Sequence, residues 1–294
     1  MTRSALKRES FGSRLFNVVN YTLLLLFALA CLLPFVNVIS TSFASTQEVV
    51  EKKFLLFPTT FSLDAYTFIF STPTLFKGLA VSIGTTLVGT FVSMALTILM
   101  AYALSRKYLF GRTFINFIIV FSMLFSGGMI PTFLIVKSVG LIDSYWSLII
   151  PTAINAFNLI IMRNFFQALP ESLEESAKID GANDFRILWK IMLPLSLPSV
   201  ATISLFYGVT YWNTYTSAIL YLTDSEKWPL QILLRQIVLV SSGMQGDNSS
   251  VDIIPPAQTI KMVVIVVATV PMLIAYPFVQ KHFTKGALLG AVKG

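Results

Sequence analysis

Six apolar runs, each at least 18 residues long and carrying few or no charges, constrain this chain more than any other feature. They fall at 18–40, 75–104, 114–136, 145–162, 191–222 and 262–279. A helix needs about 20 apolar residues to cross the hydrocarbon core of a bilayer. Composition agrees: 55% of the 294 residues are hydrophobic and 12% are charged, where a soluble domain has about 45–50% and about 25%. The 25 Phe are spread along the chain, so the apolar excess is not confined to one anchor. The expected fold is all-α, a polytopic membrane protein of six transmembrane helices. The second and fifth runs are long enough to tilt or break, and Pro194 and Pro198, which lack a backbone N–H, point to a bend or a later helical start in the fifth.

Lys and Arg set the orientation. Arg3, Lys7, Arg8 and Arg14 precede the first run; Arg106, Lys107 and Arg112 follow the second; Arg163, Lys178, Arg186 and Lys190 follow the fourth; Lys281, Lys285 and Lys293 close the chain. That places 14 of the 21 basic residues on one side, and the positive-inside rule puts both termini in the cytoplasm. The expected organisation is a cytoplasmic tail (1–17), a six-helix domain (18–280) and a second cytoplasmic tail (281–294). Within the domain lie a cytoplasmic segment (163–190) and two external loops (41–74 and 223–257) suited to capping a pore or receiving a partner. Ala28-Leu29-Ala30-Cys31 loosely matches a lipoprotein cleavage site, but the apolar stretch continues to Ile39, longer than the ~7–15-residue core of a signal peptide. Thr85, Gly89, Ser93 and Thr97 recur every four residues, which reads either as a close-packing helix seam or as a chance scatter of small residues.

Absences narrow the function. The net charge of +7 is not gathered into a basic face interleaved with aromatics, so nucleic acid is not an expected partner. One Cys and one His cannot supply a disulfide framework or a structural zinc site. No phosphate loop, dinucleotide fingerprint or zinc-protease motif occurs, and no catalytic or metal-binding residue is nominated. Ser126-Gly127-Gly128 sits in an apolar run, where it suits a close helix contact or a break. The spans hold no mid-depth ionisable residue, as an ion-coupled pump would; Lys77, Lys137 and Lys261 lie near span edges, where they can snorkel. Uphill transport would need energy from another subunit.

The segment RNFFQALPESLEESAKIDGANDFRILWKIMLP, residues 163–194, carries the strongest local signals. Ser172 and Glu175 have capping-box spacing just after Pro170, and Glu171, Glu174 and Glu175 suit the positive end of a helix. Gly181 can end the helix at φ > 0, giving about two and a half turns. Asn183 or Asp184 can then cap a second helix leading into the fifth span. So short a helix is marginal alone in water. It packs either on another protein or on the membrane surface.

Glu175-Ser176-Ala177, three residues, Gly181, nine residues and Ile191-Met192-Leu193-Pro194 resemble the E-A-A-x3-G-x9-I-x-L-P motif of the inner-membrane permease subunits of bacterial ABC importers. Ser176 replaces the first Ala. Arg163-Asn164-Phe165-Phe166, Tyr211-Trp212-Asn213 and the ending Gly290-Ala291-Val292-Lys293-Gly294 extend the resemblance to the maltose-type carbohydrate permeases. Among these the chain is most similar to the branch for lipo-oligosaccharide and complex-polysaccharide uptake.

The resemblance implies a type I ABC importer permease fold in a bacterial inner membrane. It implies a sister permease, two ATPase subunits that carry ATP and magnesium, an extracytoplasmic solute-binding protein and an oligosaccharide substrate. No cofactor is expected on this chain. ATPase coupling would fall to Glu175, Ser176, Ala177, Asp180, Gly181, Ile191, Leu193 and Pro194. Glu175 would meet a basic residue of the ATPase, and the tail 290–294 would reach toward the ATPase dimer. Sugars are held by hydrogen bonds and aromatic faces, which nominates Asn155, Asn158, Tyr211, Trp212, Asn213 and Tyr215. The same residues suit helix-to-helix hydrogen bonds or interfacial belts. Competing readings are a permease of this architecture for another solute, such as a polyamine or phosphate, and an ATPase-independent channel or scaffold.

Overall fold

The structure, a computed structural model, describes residues 11–52, 54–71, 73–241 and 258–291. Among them regular structure is helical, apart from one isolated bridge between Ala44 and Phe61. They form two compact units, one built from residues up to 71 with 240–266, the other from 72–239 with 267 onward.

In the first unit, α1 (Phe11–Ser42) is apolar on every side. Leu23, Leu24, Leu25, Leu26 and Phe27 are all more than half exposed, the pattern of a helix that meets lipid all round. Two short helices follow, α2 (Thr46–Glu51) and α3 (Asp64–Ser71). Glu48 of α2 is buried, yet its carboxylate accepts backbone N–H bonds from Thr59 (2.9 Å) and Thr60 (2.9 Å), both Thr hydroxyls, and the Lys52 ammonium. The Thr59 hydroxyl and these other donors hold its pKa far below the usual carboxylate range.

The second unit is organised around α4 (Pro73–Ser105), a continuous helix of 33 residues. The third expected span is instead two helices, α5 (Arg112–Leu124) and α6 (Met129–Ser138), bent by 119°. Phe125 turns extended, and Gly128 adopts φ +89°, a region a side chain disfavours. Of the two roles open to Ser126-Gly127-Gly128, the structure therefore uses the break. The fourth run is also bent, by 54°, between Trp146–Thr152, which contains α7 (Trp146–Ile149) and a 3-10 turn, and α8 (Ala156–Ala168). After α9 (Glu171–Ile179), the fifth run starts in α10 (Asp184–Ile187), passes a π-helical turn (Leu188–Met192) and α11 (Leu193–Leu195), then turns by 85° into α12 (Leu197–Trp212). Pro194 and Pro198 flank that turn and leave backbone carbonyls without their usual donors. The chain continues through α13 (Thr216–Tyr221), α14 (Leu230–Ser241) and α15 (Gln258–Ala291). Of the six expected spans, α1 and α4 are each unbroken helices long and apolar enough to cross a bilayer, three runs are bent pairs, and the last is apolar over Gln258–Ile274.

Gly89, Ser93 and Thr97 form a seam between α4 and α12. Ser93 and Tyr211 share a buried hydrogen bond of 2.7 Å, and Thr97 and Tyr207 share one of 2.8 Å. A Cβ on Gly89 would lie 2.9 Å from the Tyr211 ring. The small side chains let two helices approach and give polar Tyr tips a partner inside the apolar layer.

Asp143 ties two connections of this unit together. It sits at φ +62°, its carboxylate accepts the backbone N–H groups of Thr223 (3.1 Å) and Asp224 (3.0 Å), and Lys227 donates to it. The Lys227 hydrogen bond, then those backbone donors, lower its pKa to about 2. A pKa below the unfolded value of about 4 stabilises the folded form above that pH, and the contribution is lost as pH falls toward 2. The same sign holds for Glu48. Lowering the pH from about 4 to about 2 is therefore expected to open segments 52–61 and 141–145 to pepsin, and a cleavage rate flat across that window contradicts these ties.

Candidate functional site

The segment that bears the motif folds as a short helix on a tight turn. Helix α9 begins at Glu171, directly after Pro170, with no side-chain cap. Ser172 lies inside its first turn, so the expected Ser172–Glu175 capping box does not form: Pro170 already presets the entry, and three acids load the first turns. At the far end Gly181 takes φ +77°, and the Gly181 and Ala182 N–H groups donate to Lys178 and Ala177 carbonyls at 3.0 and 2.9 Å. Asn183 rather than Asp184 caps α10, its Oδ1 accepting the Arg186 N–H at 2.9 Å.

Ala177 faces inward and packs in a core with Tyr102, Phe166, Ile187, Leu188 and Met192. Glu175, Ser176 and Asp180 face outward, and Ile179 is 87% exposed. Ile191 and Leu193 pack against the same core from the neighbouring helix, while Pro194 is exposed beside the 85° turn. The motif is thus split: one end presents a surface, the other anchors it.

Electrostatics fix that surface to the end of α4. Arg106 pairs with Glu174, each side chain only 11% exposed, and its guanidinium stacks 4.3 Å over the Tyr102 ring. Lys178 closes the same helix face, 2.8 Å from Glu174 and 4.8 Å above the Tyr108 ring. Lys107 pairs with Glu171 at 2.5 Å, and that bond lowers the Glu171 pKa. Together these groups border a cleft of about 320 Å³ between segment 105–112, the end of α8 and α9. Glu175 lines the cleft mouth without an ion-pair partner among the described residues, so its charge is free for another molecule. Three adjacent acids give no sequence signal to separate Glu174, turned inward onto Arg106, from Glu175, turned outward.

The residues nominated for sugar contact divide. Asn155 caps α8, accepting the Asn158 N–H at 3.1 Å and donating its own N–H to Tyr207, and Asn158 is buried. Tyr211 serves the α4 seam, and the Trp212 indole donates to the Ala268 carbonyl at 3.2 Å. Asn213 is exposed and Tyr215 half-buried, at the break between α12 and α13. Of the six, Asn155 and Asn213 are the exposed ones, and Tyr215 is half-buried. Gly290 and Ala291 end α15, and Val292, Lys293 and Gly294 lie outside the described residues.

The sequence profile of the binding-protein-dependent transport system inner membrane component family matches residues 93–288. The chain belongs to this family. A protein of Bacillus subtilis, the polygalacturonan/rhamnogalacturonan transport system permease protein YtcP, is 68% identical over 96% of this chain and 99% of its own length. Protein LplC of the same organism is 52% identical over 96% of each. Among solved structures, a chain of a bacterial ABC transporter that imports the acidic polysaccharide alginate superposes with a TM-score of 0.87 at 36% identity, covering 94% of this chain and 99% of that one. This chain is a multi-pass ABC permease subunit of the type I fold, a transport subunit rather than an enzyme.

Proposed function

We propose that this permease is half of the membrane pathway of an importer of acidic oligosaccharides. Its partners are a sister permease, two ATPase subunits holding ATP and magnesium, and an extracytoplasmic binding protein that delivers the glycan. It lies in the bacterial inner membrane with both termini in the cytoplasm, so that α9 and segment 105–112 face the ATPases and the loops around Glu48 and Asp143 face outward. Residues 18–280 form the membrane domain, and the tail 290–294 extends toward the ATPase dimer. The observation that carries the reading is α9 itself: an outward acidic surface of Glu175, Ser176 and Asp180 on a helix locked to the membrane domain through Glu174. An acidic sugar as cargo is supported by the uronate-rich polymers in the names of the similar permease and the superposing transporter.

Docking is expected to fail when the free charge is reversed. In the reconstituted importer, Glu175→Lys should lower glycan uptake and glycan-stimulated ATP hydrolysis together by about 5–150-fold, the size of a coupling free energy, while the permease keeps its helical content. Normal uptake and hydrolysis in that variant would remove Glu175 from the coupling surface.

A further inference from the structure

Helix α14 is pinned to α4: the Leu230 N–H donates to the Ser82 Oγ at 2.8 Å, and Leu230, Ile232, Leu233 and Ile237 are buried. Arg235 lies on the opposite, exposed face, its guanidinium 4.7 Å from the centre of the Tyr215 ring. On the side proposed to face outward, Lys52 pairs with Glu48, Lys77 with Glu226 and Lys227 with Asp143. Arg235 has no carboxylate and no hydrogen-bond acceptor among the described residues.

Its neighbourhood is polar where an apolar span is expected. The backbone leaves the helix at Asn213–Tyr215, and Thr210, Asn213 and Thr216 are exposed beside it. Non-helical backbone within a membrane span persists where it lines a water-filled path or is covered by protein. Arg235 approaches that break from α14, in the connection that follows the span.

The geometry points to Arg235, set over the Tyr215 ring, as a subsite of the permeation path for the carboxylate of an acidic sugar. This rests on the proposed acidic oligosaccharide substrate. The ring holds the guanidinium by cation–π contact, its N–H groups have no acceptor among the described residues, and a guanidinium can meet a carboxylate with two parallel hydrogen bonds. Asn213 and Thr210, exposed at that break, donate to the Val209 and Phe206 carbonyls and keep their side-chain oxygens available as acceptors for sugar hydroxyls.

The test uses the complete importer in proteoliposomes with oligogalacturonate as the probe. Wild type should take it up, Arg235→Gln should lower uptake by about tenfold or more, the worth of a lost charge-assisted pair, and Arg235→Lys should recover part of it. Assembly is read separately by copurification with the sister permease and the ATPase. Undiminished uptake in Arg235→Gln overturns the subsite while the substrate reading stands. Equal loss in the Gln and Lys variants, or loss of copurification, makes Arg235 a packing or interface residue and overturns it too. A wild-type importer that ignores oligogalacturonate refutes the acidic-substrate reading, and the subsite falls with it.

Discussion

Arg106→Glu is expected to abolish most glycan uptake, and adding Glu174→Arg to it should restore a measurable part. Each side chain is 11% exposed; Arg106 meets Glu174 through Nη1, and its buried Nε and Nη2 have no acceptor among the described residues. Removing one member of a buried pair leaves the other charge uncompensated, at a cost of about 3–5 kcal/mol, more than a nine-residue helix can absorb by itself. The expected consequence is local: α9 loosens from α4 while the Ser93–Tyr211 and Thr97–Tyr207 seam holds. Hydrogen exchange across residues 171–182 should rise in the single variants and return toward wild type in the charge swap. Full uptake in Arg106→Glu, or no recovery in the swap with α9 still protected, would mean that the pair does not carry motion between α9 and the membrane domain.

The second large effect is expected in the α4–α12 seam. Gly89→Leu places its Cβ 2.9 Å from three atoms of the Tyr211 ring. That ring is 2% exposed and tethered by Ser93 at 2.7 Å and the Ile149 carbonyl at 3.4 Å, so it cannot swing aside as a surface side chain would. Overpacking of this kind costs about 1–3 kcal/mol and should lower the thermal midpoint of the purified permease. Gly84→Leu is the control on the same helix, since a Cβ there meets nothing within 4 Å. Equal midpoints for the two variants would contradict the seam.

The sequence discloses the membrane domain because burial in lipid leaves a long-range signature: 18 or more apolar residues in a row are visible without any partner. It discloses less of the path those residues take. The runs at 114–136 and 145–162 carry no charge at their breaks, and composition does not report chain direction, so bends of 119° and 54° come only with the structure. Gly127-Gly128 and the Pro194–Pro198 pair were the readable hints. The turn at Gly181 was legible because φ > 0 has few occupants. The capping box was not, because Pro170 competes for the same helix start. Tyr211 and Trp212 looked like sugar contacts because polar aromatics in apolar spans have two uses. Their partners, Ser93 and Ala268, lie 118 and 56 residues away, and distances of that kind are absent from local pattern. Arg106 enters the sequence reading only as a charge that sets orientation, and nothing in local pattern singles out Arg235; the rings of Tyr102 and Tyr215, 4.3 and 4.7 Å away, come only with the structure.

The most direct test of the whole account is purification of this chain from its native membrane in mild detergent. The copurifying proteins would be identified by mass spectrometry, and ATP hydrolysis by the preparation measured with and without oligogalacturonate. The account predicts a second permease, an ATPase and a solute-binding protein, with hydrolysis that rises when the glycan is added. A chain recovered alone or only with itself, in a preparation without glycan-stimulated hydrolysis, would contradict it.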